Sequence, residues 1–376
     1  MRAIAAVALS LVLLGAAEVR AQGLTLPPSG DNQRASVTQQ IGPVTVSIAY
    51  SSPRVIRNGE DRKGKIWGAL VPYGLSDLGF NNCKQCPWRA GANENTVFTT
   101  SHGVKVQGQA LVAGTYGVHM IPGKDEWTVI FSRNSTSWGS YFYDPKEDAL
   151  RVNAAPAKAE YHEWLTYEFT EREPARATLA LKWEELQLPL SIVVENAQAL
   201  YVAALREELR GKAGFDWHNR KAAANYTLSS KTSLSEGLEW AQRATNPALG
   251  GEENFGTLMT LARAQAANGK EADAAKTQDK ALADPSAKPL DIHQAGRALQ
   301  AEGKNKAALK IFQLNAKRFP NQWPVHVGLM RGYVGVGDNK RALEEARLGA
   351  AQAPDEANKK NLERLAKLLA EGKKID

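Results

Sequence analysis

Cys83-Lys84-Gln85-Cys86 is a spacing that can do chemistry, and these are the only two cysteines of the chain. Two thiols three residues apart can close a small disulfide loop, exchange electrons as a dithiol, or supply half of a zinc site. Zinc needs further ligands, and His102, His119 and His162 stand at no ligand spacing. A redox pair needs a strand-to-helix junction that lowers a thiol pKa, and no helical pattern surrounds Pro87. The expectation is a disulfide, with a Cys83–Cys86 redox protein kept as a third functional class. Directly after it comes Trp88-Arg89-Ala90-Gly91-Ala92-Asn93-Glu94. Arg89 is a fixed cation with five donors, Glu94 an acceptor and Asn93 both. With Trp88 and His119, they can orient a sugar or a peptide end. Equally, Arg89 and Glu94 can bond each other and pin a loop. A third set is Arg263, Arg297 and Arg331, spaced by 34. Arginine forks pair well with carboxylates.

Signatures of common enzymes are missing. Gly59 to Lys65 has the spacing of a phosphate-binding loop, but Ile66 stands where a Ser or Thr must hold magnesium. There is no G-x-S-x-G, H-E-x-x-H or G-x-G-x-x-G. Asp144, Glu147 and Asp148 read as a turn with solvated ends rather than a working carboxylate pair. No cofactor is implied.

The elements that must position these residues begin after an export signal. Met1-Arg2, the apolar stretch 3–14 and the small-residue exit Val19-Arg20-Ala21 read as a secretory signal over 1–21. The apolar run is too short to span a bilayer as a stable helix, and no later stretch is longer. The mature chain is expected to begin near Gln22 and to lie in the periplasm or outside the cell. Residues 22–35 read as a flexible linker. Charge is unevenly placed: 17 Lys+Arg face 18 Asp+Glu in 22–199, against 28 and 21 in 200–376. The positive excess is interspersed with acids, which reads as a solvated surface. No basic patch with a reading element suggests nucleic acid.

Residues 36–195 read as an all-β domain. Val44, Val46, Ile48 and Tyr50 alternate with Thr45, Ser47 and Ala49, as in a strand with one buried face. Gly42-Pro43 is a turn, with 36–40 as the partner strand. Further strands are expected over 96–100, 115–121, 127–132, 149–153, 165–169, 176–182 and 186–194. Short strands with no helix between them favour a sandwich or barrel, and a sandwich is the expectation. Six motifs in order carry a family resemblance: Ile66-Trp67-Gly68-Ala69-Leu70-Val71-Pro72-Tyr73-Gly74, Trp88 to Thr96, Ala113-Gly114-Thr115-Tyr116, Ile121-Pro122-Gly123, Trp127 to Phe131, and Trp138-Gly139-Ser140-Tyr141. Together they resemble the DUF2911 family over about 33–195. The resemblance implies an exported bacterial protein and supplies no activity, cofactor or catalytic residue. It marks the Trp-Arg-x-Gly-x-Asn-Glu segment as the distinctive polar stretch. The chain departs from the pattern at 75–87, an intervening stretch that carries both cysteines.

Residues 196–376 read as an all-α repeat. Gly269, Gly303 and Gly337 are 34 apart, as are Ala274, Ala308 and Ala342; Pro320 and Pro354 share the spacing. This resembles the tetratricopeptide repeat. Units are expected near 216–248, 255–288, 289–322 and 323–356, with a capping helix over 355–371. By that resemblance, the phase of Arg263, Arg297 and Arg331 lines a concave groove that holds peptides, which would make an acidic segment the ligand. The favoured reading is an exported, non-catalytic binding or assembly protein with an acidic protein or peptide partner. The alternative is an enzyme or small-ligand module at Arg89, Asn93 and Glu94.

Overall fold

The computed structural model describes residues 32–80 and 83–373. The signal over 1–21 and the stretch 22–31 lie outside the described residues. Two compact units divide between Ala197 and Gln198. The first is built of strands and the second of helices.

In the first unit, β1 (Gln33–Ile41), β2 (Val44–Ser52), β5 (Thr96–Thr100), β8 (Gly114–Ile121), β9 (Trp127–Ser132) and β10 (Asp148–Ala154) form an antiparallel sheet in the order β1-β2-β5-β8-β9-β10. A second sheet has the order β11 (Ala157–Glu173), β12 (Arg176–Val193), β6 (Val104–Val106), β7 (Gln109–Leu111). A small hairpin joins β3 (Ile56–Arg57) to β4 (Glu60–Asp61). The period-two pattern does what it predicts: Val44, Val46, Ile48 and Tyr50 are buried and the residues between them are not. The two sheets pack face to face. Tyr50 of β2 meets the ring of Tyr167 of β11 at 4.9 Å, and its hydroxyl accepts from the Tyr167 amide. Ser52 donates to the Leu165 carbonyl at 2.6 Å, stitching the sheets along one margin.

Three details differ from the sequence expectations. β1 starts at Gln33, so 33–35 belong to a strand and not to a linker. Its residues pair with β2, and exposed and half-buried positions alternate along it up to the buried Ile41. The strands expected over 176–182 and 186–194 are one strand, β12, which Glu184 interrupts with left-handed backbone (φ 57°). The hairpin β6–β7 was not expected; each strand has three residues around the turn Gln107-Gly108.

In the second unit, α1 (Ala197–Glu208) leads to four helical hairpins. These are α2 (Trp217–Ser230) with α3 (Leu234–Thr245), α4 (Phe255–Ala267) with α5 (Glu271–Ala283), α6 (Pro289–Ala301) with α7 (Asn305–Arg318), and α8 (Trp323–Gly335) with α9 (Asn339–Ala351). α10 (Glu356–Ala370) closes the row and buries Leu362, Leu365 and Leu369. The last three hairpins turn on Gly269, Gly303 and Gly337, at φ 73°, 75° and 82°. The amide after each glycine reaches back five residues: Lys270 to Gln265, Lys304 to Leu299, Asp338 to Tyr333, all at 2.9 Å. This is the left-handed helix ending that glycine favours, three times in register. Ala274, Ala308 and Ala342 are buried where paired helices cross. Pro289 and Pro324 sit in the first turn of α6 and α8, where a missing amide costs nothing. The unit is a tetratricopeptide-like helical repeat. Its first hairpin departs from the pattern at Gly237, where a Cβ would lie 1.8 Å from the Thr227 hydroxyl. Among the described residues no helix is long and apolar enough to cross a membrane.

Candidate functional site

Backbone geometry sets up the polar cluster of the β unit. Trp88 and Met120 exchange amide–carbonyl bonds at 2.7 Å, which lays Trp88 and Arg89 alongside His119 on β8. Ala90 and Asn93 both take left-handed backbone (φ 56°) and fold the segment back on itself. Arg89 Nη1 then donates to the Asn93 carbonyl at 2.6 Å. Its guanidinium lies 4.7 Å above the Tyr141 ring. It fits there because residue 139 is glycine: a Cβ would be 2.4 Å from the guanidinium carbon. The expected Arg89–Glu94 pair is not what forms. Glu94 instead holds Arg34 at 3.1 Å and accepts from Ser51 at 3.2 Å. Asn93 accepts from Asn32 at 3.0 Å, and the Ala90 carbonyl takes bonds from Tyr167 and Thr96. Trp88 joins Trp67, Trp127 and Trp183 in a cluster of rings with centroids 5.1–6.5 Å apart.

His119 hydrogen bonds Ser140 at 2.8 Å through Nδ1, and its ring meets Tyr143. Both partners are buried, His119 at 2% and Ser140 at 0% exposure, so a substrate atom has no approach to the pair. Burial, and then the charge of Arg89, push His119 down to about 4. It is neutral at pH 7. Each polar group thus answers another within the fold, which makes the cluster a pin for the loop ends. The sequence reading missed Ser140, Tyr141 and Tyr143, although the Trp138-Gly139-Ser140-Tyr141 motif marked that loop.

The pin makes stability depend on pH. An unfolded chain has the ordinary histidine value of 6.5, so between 6.5 and about 4 it binds a proton that the native protein refuses. Stability of the β unit is therefore expected to fall with pH across that window, by on the order of 3 kcal/mol. Urea midpoints of the native chain and of His119→Gln, measured from pH 7 to 4.5, check this: the variant's profile should be flatter.

Cys83 and Cys86 are joined as a disulfide, with Cα atoms 5.6 Å apart. Both are buried. Cys86 and Ser76 pair through their backbones, so the bridge closes the end of the stretch that carries it. Among the described residues no three His, Cys, Asp or Glu converge as a metal site.

In the helical unit the three arginines lie on α4, α6 and α8, but the structure brings only two together. Arg297 and Arg331 line one concavity of about 300 Å³. Arg263 lines a separate one of about 220 Å³, with Glu271, Glu302 and Lys304. The ion pairs nearby are Lys304–Glu302, His326–Glu345 and Arg341–Asp338. None reaches Arg297 or Arg331 among the described residues. Arg331 is half-buried, and its Nε has no partner. Burial and the neighbouring Arg297 hold its pKa below the usual arginine value. Behind them His293 is buried, and burial, Arg297 and Arg331 push it down to about 4. Two guanidinium charges therefore share one hollow with no ion-pair partner among the described residues.

Residues 32–192 match a family model described as "Protein of unknown function (DUF2911)". The β unit is a DUF2911 region. No curated protein matches the chain. Among solved structures, it is similar to YrrB, described as a TPR protein with an unusual peptide-binding site. That likeness has 18% identity, covers 45% of this chain and 83% of that one, and has a TM-score of 0.28. The repeat assignment rests on the spacing and turns described above. The DUF2911 description names no activity, and in this DUF2911 region the distinctive Trp-Arg-x-Gly-x-Asn-Glu stretch is the one that folds into the pin.

Proposed function

We propose that this is an exported, non-catalytic binding or assembly protein whose helical repeats dock an acidic protein or peptide. One observation carries the reading: Arg297 and Arg331, one repeat apart, share a concavity and have no carboxylate partner among the described residues. A charged pair left without its counter-charge is costly, and a ligand carboxylate matches the guanidinium fork. Export is supported by the basic start, apolar core and small-residue exit of 1–21. In this reading Arg89, Asn93, Glu94 and His119 of the β unit are spent on internal bonds and supply no ligand contact.

The test is capture of acidic peptides by fluorescence anisotropy, with native protein and with the double variant Arg297→Glu/Arg331→Glu. Binding is expected to weaken at least about a hundredfold, since two charge-assisted contacts are each worth about 1.5–3 kcal/mol. Equal binding by both proteins overturns the proposal. Export is checked separately, by the N-terminal residue of the protein recovered outside the cytoplasm, expected near Gln22.

A further inference from the structure

The arginine concavity does not end at the arginines. Asn305 and Gly335 line it too, and they also line a second hollow with residues 303, 304, 306 and 307. Those residues are the amino end of α7. In the next repeat, the same end belongs to α9. There Asp338 caps the helix by accepting from the Arg341 amide at 3.1 Å. The residue 34 positions earlier is Lys304, which offers no side-chain acceptor. The first amides of α7 are left without a cap, and a helix amino end carries about half a positive charge. Gly335 keeps the mouth open: a Cβ there would come within 3.0 Å of Asn305 Oδ1 and 3.2 Å of Gln300 Nε2. The local acids are Glu302, already paired with Lys304, and Glu271 in the neighbouring concavity.

We infer that Arg297, Arg331 and the amino end of α7 form a binding site for a phosphate-type dianion. The inference rests on the reading that this concavity takes an anion, and it names the chemistry. A carboxylate brings one charge and two coplanar oxygens. The hollow offers two full positive charges with the side chains of Gln300 and Asn305 beside them, and Asn305 is the first residue of α7. A tetrahedral dianion matches the two charges and can still turn an oxygen toward Asn305 at the amino end of α7, because its oxygens point in several directions. Inorganic phosphate and the phosphate of a monoester share this chemistry.

Isothermal titration calorimetry on the full chain, at fixed ionic strength and pH 7.5, tests the site. The probes are inorganic phosphate, glycerol 2-phosphate and acetate. Saturable binding of both phosphates is expected, with acetate, which brings one charge, at least about tenfold weaker. Arg297→Gln, an exposed position, should weaken phosphate at least about tenfold. Arg331→Lys should do the same while keeping the charge, because the fork is lost. Arg172→Gln, an exposed arginine of β11, should change nothing. Circular dichroism confirms that each variant is folded, and Arg297→Gln alone decides if Arg331→Lys is not. Tighter binding of glycerol 2-phosphate than of inorganic phosphate identifies a monoester as the source, and the reverse identifies the free anion. Absence of saturable phosphate binding, acetate binding as tight as phosphate, or phosphate binding unchanged in Arg297→Gln overturns the inference. Acidic peptides that still bind in those cases leave the docking reading standing. Phosphate binding without any peptide capture sinks the docking reading alone.

Discussion

Phe312→Ala is expected to destabilise the helical unit by about 3–5 kcal/mol, the range for emptying a large aromatic from a closed core. Phe312 is on α7 and is fully buried. Its ring is enclosed by three glycines on the neighbouring first helices. A Cβ at Gly296 of α6 would lie 2.4 Å from it, and Cβ atoms at Gly328 and Gly332 of α8 would lie 2.7 and 2.9 Å away. Those close approaches leave nothing that can swing in to fill the hole, so the cavity persists. His293 lies against the same ring at 5.6 Å. The loss therefore reaches the layer beneath Arg297 and Arg331. Urea unfolding followed by far-ultraviolet circular dichroism measures the effect. A shift worth less than about 1 kcal/mol would mean that the array relaxes around the missing ring.

The β unit has a counterpart in Trp127, which is wholly buried and meets Trp67 and Trp88 edge to face. Trp127→Ala is also expected to cost about 3–5 kcal/mol. The comparison with Trp127→Phe is more informative. The indole nitrogen of Trp127 has no hydrogen-bond acceptor. Removing it strands no partner, so only ring area is lost and the cost should be less than half that of the alanine variant. If the two variants proved equally unstable, the indole N–H would have to be bonded after all. Denaturation midpoints of the three proteins at pH 7.5 decide it.

Much of this fold is legible in the sequence because the same local problem recurs. Gly269, Gly303 and Gly337 each solve one turn, and Ala274, Ala308 and Ala342 each permit one close crossing. A period of 34 follows directly. The β unit is legible where one face is buried, as at Val44 to Tyr50. It is obscure at β12, where the bulge at Glu184 breaks the alternation, and at β6 and β7, which are too short to show any. The candidate sites divide in the same manner. Spacing marked the three arginines, but not that Glu271, Glu302 and Lys304 give Arg263 a separate hollow. Arg89 and Glu94 look like a pair at five residues' distance. The left-handed turn at Ala90 and Asn93 sends them to different partners instead. Ser140 and Tyr141 reach Arg89 and His119 from a distant loop, and sequence distance cannot report that.

The glycine joints carry one more consequence. A Cβ at Gly269, Gly303 or Gly337 would meet nothing within 4 Å, and all three share the same backbone bonds. Cutting and splicing from one such joint to the next would therefore join chemically equivalent ends, like adding a link to a watch strap. A duplicated 303–336 segment would repeat Arg331 one pitch further along, and would set the second Phe312 against Met330 where the native ring meets Gly296, so a small residue at 330 would be needed as well.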